Sequence, residues 1–185
     1  CGPCFHLDLE VSWTVNGQSR VESVELDRRK RTHTFPMDAE PTAVRIDPGA
    51  KVLHKLAFNP GDGKLRAQLT EAADVIGRIR AAHELAKTRK RANVQAIIDA
   101  YAAERFWGVR EQMVTALAQE GDAMCVDLLR DVGQWVGEGL ATLAAVLDPS
   151  VIAIGGGVAD AGDLLLDPVR RAFEDHLPAR EHRKV

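Results

Sequence analysis

Hydrophobic residues along the chain change their spacing twice, and each change marks a different kind of element. In FHLDLEVSWTV, residues 5–15, every second position is apolar (Phe5, Leu7, Leu9, Val11, Trp13, Val15) and the positions between are polar or small. A period of two predicts a β-strand with one face toward a core. Asn16-Gly17 follows, a pair that accepts the positive φ angles of a tight hairpin, and Val21, Val24 and Leu26 continue into a returning strand. Val21 and Val24 differ in parity, which predicts a bulge or a longer loop between them. Further extended stretches are expected at Thr32 to Phe35 and Thr42 to Ile46, with Asp47-Pro48-Gly49 suited to a type II turn. Residues 1–60 are therefore an antiparallel β segment.

Beyond Asn59-Pro60-Gly61 the spacing becomes helical. Leu65 and Leu69 mark one short helix, and Ile76, Ile79, Ala82 and Ala86 a second. Asn93 can cap a third, with Val94, Ile97, Ile98 and Tyr101 on one face, and a fourth carries Phe106, Val109, Met113 and Leu117. Residues 61–113 are expected to form stacked helical hairpins. A longer helix runs from about Asp122 to Leu147 on the stripe Leu128, Val132, Trp135 or Val136, Leu140, Leu143 and Leu147. It contains Gly133, Gly137 and Gly139, each costing roughly 1 kcal/mol relative to alanine, so close packing of a neighbour on a glycine face is expected. Asp148-Pro149 ends this helix; Val151 to Ile154 predicts a strand buried on both faces; Asp163 caps a last helix through Phe173.

The chain has 185 residues, 45% hydrophobic and 28% charged, with a net charge of −3, the balance of a globular protein without an electrostatic case for nucleic acid or anionic lipid as partner. No apolar stretch is long enough to span a bilayer, and CGPCFHLDLE lacks the regions of a signal peptide, so a cytoplasmic location is expected. The chain starts at Cys1 and stops at Val185 without a turn or cap, as a piece of something longer would.

Two resemblances are carried by separate stretches. VRIDPGAKVLHKLAF, DVIGRIRAAHELAK and ERFWGVREQ make residues from about 5 to 112 resemble the C-terminal region of aminopeptidase N-type zinc metallopeptidases, in which a β-sandwich precedes HEAT-like helical pairs. VTALAQEGDAMCVDLLRDVGQWVGEGLATLAAVLDPSVIAIGGGVADAGDLLLDPVRRAF makes residues from about 114 to 183 resemble the C-terminal part of ROK sugar kinases, which include bacterial glucokinases. In that actin-like ATPase fold the glycine run lies beside the adenosine of ATP, which implies a nucleotide role for Gly155, Gly156 and Gly157 here. The segments 1–60, 61–113 and 114–185 together are an α+β chain: a sandwich-like sheet, HEAT-like hairpins, and a helix, strand, glycine loop and helix remnant of an actin-like lobe. A natural fusion, a misassembled reading frame and a constructed chimera each produce such a junction.

Other candidates for chemistry are incomplete. His83-Glu84-Leu85-Ala86-Lys87 has the first histidine and the glutamate of H-E-x-x-H but a lysine in place of the second histidine, so no zinc site is expected there. Cys1-Gly2-Pro3-Cys4 matches a redox dithiol, yet a strand follows where a thiol-activating helix should begin. Arg28 to Arg31 and Lys87 to Arg91 are basic runs without stacking aromatics, expected as solvated turns. The resemblance to ROK kinases implies phosphates held on an N-terminal hairpin of Asp-Gly-Gly-Thr type, an aspartate base and a Cys-rich zinc motif with a histidine; this chain contains none of them. The expected function is a non-catalytic aminopeptidase-like segment joined to a partial sugar-kinase lobe, without a complete active site or bound zinc and with weak ATP affinity at most. The alternatives are the ATP-binding C-terminal part of a ROK glucokinase, and a scaffold or interaction module. The unpaired strand Val151 to Ile154 predicts self-association, and proteolysis is expected between Arg110 and Asp122.

Overall fold

The structure is a computed structural model that describes residues 7–27 and 30–177. Phe5, Cys1, Cys4, His6, Arg28 and Arg29 lie outside the described residues. The chain divides into two compact units, Cys1–Ala102 and Ala103–Val185.

The first unit begins with a hairpin of β1 (Leu7–Val15) and β2 (Gln18–Leu26). Asn16 and Gly17 both have positive φ, 49° and 76°, which gives the two-residue turn whose twist suits the flanking strands. Pairing runs without interruption from Leu7 opposite Leu26 to Val15 opposite Gln18. The expected bulge is absent: the parity change is met by leaving Val21 exposed while Val24 is buried. β3 (Ala43–Ile46) pairs antiparallel with the other edge of β1, giving the order β2-β1-β3. Residues 32–35 are not a strand, although Phe35 packs its ring 4.8 Å from that of buried Trp13.

A turn closes after β3, with the Ala50 N–H donating to the Asp47 carbonyl at 3.0 Å. It is not the expected type II turn, because the positive φ angles fall on Asp47 and Ala50 rather than on Gly49. The side chain of Asp47 dictates this shape: it is 1% exposed and accepts the N–H groups of Lys51 at 2.9 Å and Val52 at 3.1 Å. Helices α1 (Asp62–Glu71) and α2 (Val75–Lys87) pack on each other. Asp74 caps α2 by accepting from the Gly77 N–H at 2.6 Å, and its carboxylate also takes both Nη atoms of Arg45 at 2.6 and 2.8 Å. That bidentate pair fastens β3 to the start of α2. α3 (Arg91–Ala103) completes the unit; Asn93 is not its cap but lies inside it, buried, donating from Nδ2 to Thr88 Oγ1 at 2.8 Å.

The second unit contains α4 (Trp107–Gln119), α5 (Ala123–Leu147), a short 3-10 helix (Gly157–Ala161) and α6 (Asp163–His176). Asp122 caps α5 by accepting from Cys125 N–H at 3.1 Å, and Asp148, with φ 46°, ends it. α6 starts from Gly162 rather than from a capping Asp163, which is its first helical residue.

The face of α5 that meets α6 is small rather than bulky: Leu129, Gly133, Gly137, Ala141 and Ala144 are buried, against Leu165, Val169 and Ala172 of α6. A Cβ on Gly133 would come within 2.8 Å of the Leu165 carbonyl and of Pro168 Cβ, and one on Gly137 within 2.7 Å of Ala172 Cβ. Two of the three glycines thus let the helices approach, as expected, while Gly139 has open space around it. The predicted bulky stripe faces mostly outward, with Trp135 and Leu147 each 70% exposed. Val132 and Leu140 alone of that stripe reach the core of Ala118, Leu129, Ala161, Leu165 and Val169.

Residues 151–154 do not form a strand. Strand backbone requires a neighbour to take its N–H and C=O groups, and the sheet of this chain lies in the other unit, leaving Val151 81% exposed. Ile154 nevertheless packs on the α5–α6 core.

Candidate functional site

The extended residues 151–154 lead through Gly155 and Gly156 into the 3-10 helix, and Gly162 turns the chain into α6. Ile154 on one side of the glycines and Val158 on the other are packed against the core, so both ends of the loop are anchored.

The three glycines occupy three different environments. Gly156 has φ 112° and ψ 173°, a conformation open essentially to glycine alone. Gly157 has a conventional φ, but a Cβ there would collide with the carboxylate of Glu111 on α4. Gly155 has neither constraint: its φ is not positive and nothing lies within 4 Å of the position a Cβ would take. The fold accounts for two of the glycines and leaves the first facing open space.

Glu111 is the acidic group of the loop. Its Oε1 is buried without a hydrogen-bond partner among the described residues, and burial, assisted by the charge of Asp160, pushes its carboxyl above the usual range. α4 also reaches the loop through Gln119, whose Nε2 donates to the Asp160 carbonyl at 3.1 Å. Ile152 and Ile154, which precede the glycines in the chain, wall an open groove of about 290 Å³ together with Leu140, Leu166, Val169 and Phe173. Its one cation, Arg170, is taken by Asp163 at 3.4 Å and Asp167 at 2.9 Å. An apolar groove accepts a flat ring system, whereas a polyphosphate finds no uncommitted cation in its lining.

The remaining sequence candidates do not assemble elsewhere. His83 and Glu84 lie on α2 as expected, and Lys87 pairs with Glu84. Among the described residues no group of three or more His, Cys, Asp or Glu is placed to hold a metal, and no helix is long and apolar enough to cross a membrane. Other members of the basic runs are ion-paired too, Arg31 with Asp27 and Lys90 with Asp62. The Cys125 thiol is pushed up to about 12 by burial and by Asp122, which makes it unreactive. Sequence reasoning missed Glu111 and the groove, because a lone glutamate in a helix carries no signal of what it will face.

The sequence pattern of the ROK family matches residues 85–185, beginning in α2 and taking in all of the second unit. The chain is 38% identical over 78 residues to the glucokinases of Streptomyces coelicolor and Streptomyces lividans, which covers 42% of this chain and 25% of theirs. It is 37% identical over 67 residues to the glucokinase of Halalkalibacterium halodurans, covering 36% of this chain and 20% of that one. A solved structure, the ROK family glucokinase of Streptomyces griseus in complex with glucose and AMPPNP, is 31% identical with a TM-score of 0.40, covering 66% of this chain and 38% of that one. The matches to the curated relatives thus span a quarter of their length or less. They are glucokinases; the aminopeptidase resemblance and the chimera rest on sequence analysis alone, and residues 85–112 of that resemblance fall inside the ROK match. With more than half of its 185 residues matched, the chain belongs to the ROK family.

Proposed function

We propose that the second unit is the adenosine-side wall of the nucleotide site of a ROK glucokinase-like protein, and that it holds adenine nucleotide without carrying out phosphoryl transfer by itself. The observation that carries this reading is Gly155, the one residue of the run that no neighbour and no backbone angle requires to be glycine. A ligand ring lying on Ile152 and Ile154 approaches the backbone there, and a side chain would obstruct it. Phosphoryl transfer needs charge neutralisation around the γ-phosphate and a base on the acceptor hydroxyl, and Arg170, already held by Asp163 and Asp167, provides neither. One wall of a cleft supports an affinity on the order of 1 mM.

The test is equilibrium binding of a ribose-labelled fluorescent ATP analogue, displaced by unlabelled ATP, to the chain and to Gly155→Val. Saturable, displaceable binding that Gly155→Val abolishes while its melting temperature is unchanged supports the reading. Equal binding by the variant contradicts it, and glucose phosphorylation by the chain with magnesium and ATP contradicts the absence of transfer.

Self-association belongs to the same proposal. Backbone 151–154 carries no ladder pairing, and a second copy could supply the missing strand neighbour. Light scattering is expected to show concentration-dependent association; a monodisperse monomer throughout would contradict it.

A further inference from the structure

The first unit carries a cleft of its own, lined by residues outside the ROK match. Residues 51–60 belong to no helix or strand, yet their burial alternates without a break, with Val52, His54, Leu56, Phe58 and Pro60 inward and the residues between them exposed. This extended segment, β3 and one face of α2 enclose a cleft of about 380 Å³. Its body is apolar, formed by Ile46, Leu56, Phe58, Leu65 and Ile79.

The charges at the cleft are unevenly matched. Glu84, its one carboxylate, is neutralised by Lys87, and Arg45 is occupied by Asp74. Arg80 donates to the carbonyls of Ile46 and Asp47, at 3.3 Å each, and its charge acts on the buried Asp47 carboxylate, which also lies 3.7 Å from His54 Nδ1. Lys55 is exposed at the edge and makes no ion pair among the described residues. His54 places Nδ1 2.9 Å from the Val52 carbonyl, leaving Nε2 buried without a partner. A buried polar atom left unmatched in the wall of a cleft is the place where the polar end of a ligand completes the hydrogen bonding.

From this arrangement we infer that the cleft binds a small carboxylate with an apolar body, its chain lying on Ile46, Phe58 and Leu65 and its charge toward Lys55 and Arg80. The volume is that of small-ligand pockets, and apolar walls with a few convergent polar groups are their usual make-up.

Octanoate is the probe, octanol its uncharged control, and amide NMR of the full chain the readout. Octanoate is expected to shift the amides of residues 44–46, 54–58 and 79–83 saturably. Lys55→Glu, at an exposed position outside the core, is expected to weaken octanoate at least about fivefold, roughly 1 kcal/mol, and leave octanol unchanged. Phe58→Ala should weaken both. Absence of saturable shifts at those amides up to about 10 mM octanoate, where even a weak millimolar site fills, overturns the inference. Equal affinity for octanol, or no effect of Lys55→Glu, overturns it as well.

Discussion

Gly155, Gly156 and Gly157 are identical in sequence and different in cause, which is where the residue scale is most informative. Ligand-free stability should fall for Gly156→Ala, whose backbone conformation an alanine resists, and for Gly157→Ala, which must displace Glu111. Glu111 and Asp47 give opposite responses to pH. The raised carboxyl of Glu111 means that the folded chain holds that proton more tightly than the unfolded one, so its effect on stability is a loss that sets in as pH rises above the ordinary carboxylate range. Glu111→Gln is therefore expected to stabilise the second unit at pH 7 and to have a smaller effect at pH 4, measured by urea unfolding. An equal difference at both pH values would show that the charge is not the cause. For Asp47, burial works against ionisation, but the N–H groups of Lys51 and Val52 and the charges of His54 and Arg80 outweigh it and hold the carboxyl low. Its contribution is present at neutral pH and is lost as pH falls below the ordinary carboxylate range. The glycine run was legible in the sequence, whereas the reason for each glycine was not, because Gly156 is set by a backbone angle and Gly157 by a glutamate more than forty positions away.

At the scale of elements, some local signals set the structure, while others, such as the turn at Asp47-Pro48-Gly49 and the caps expected at Asn93 and Asp163, did not. Asn16-Gly17 specified its hairpin, and Asp122 and Asp148 bounded α5. The buried face of α5 was misassigned because apolar residues line both sides of the helix, and periodicity cannot say which side meets α6. The run Val151 to Ile154 has strand composition but lacks a strand beside it. The glycines of α5 provide the test of its packing. Gly137→Ala drives a Cβ toward Val169 carbonyl and to 2.9 Å from Phe173 N, backbone atoms that cannot rotate aside, and is expected to cost about 2–3 kcal/mol. Gly139→Ala meets nothing within 4 Å and should stabilise the helix by about 0.5–1 kcal/mol. Denaturant unfolding of the two variants checks the pair, and similar effects would mean that α6 does not lie where the structure puts it.

For the whole molecule, the chain forms two compact units, Cys1–Ala102 and Ala103–Val185, and the segment where they join is the place to look for cleavage. The stretch Arg110 to Asp122, expected to be cleaved, is mostly α4, with Val109, Met113 and Leu117 buried. Residues 104–106 lie between α3 and α4, and Arg105 is exposed, so limited trypsin digestion is expected to cut after Arg105 first and leave both products helical by circular dichroism. First cleavage within α4 would contradict the assignment. The family match covers the whole of the second unit and the adenine-nucleotide reading depends on its glycine loop, so the most direct measurement is an amide NMR titration of the chain with AMPPNP. The account predicts shifts concentrated at residues 152–163 and Glu111, saturating together and absent in Gly155→Val. Shifts scattered over both units, or a titration that Gly155→Val leaves unchanged, would contradict it.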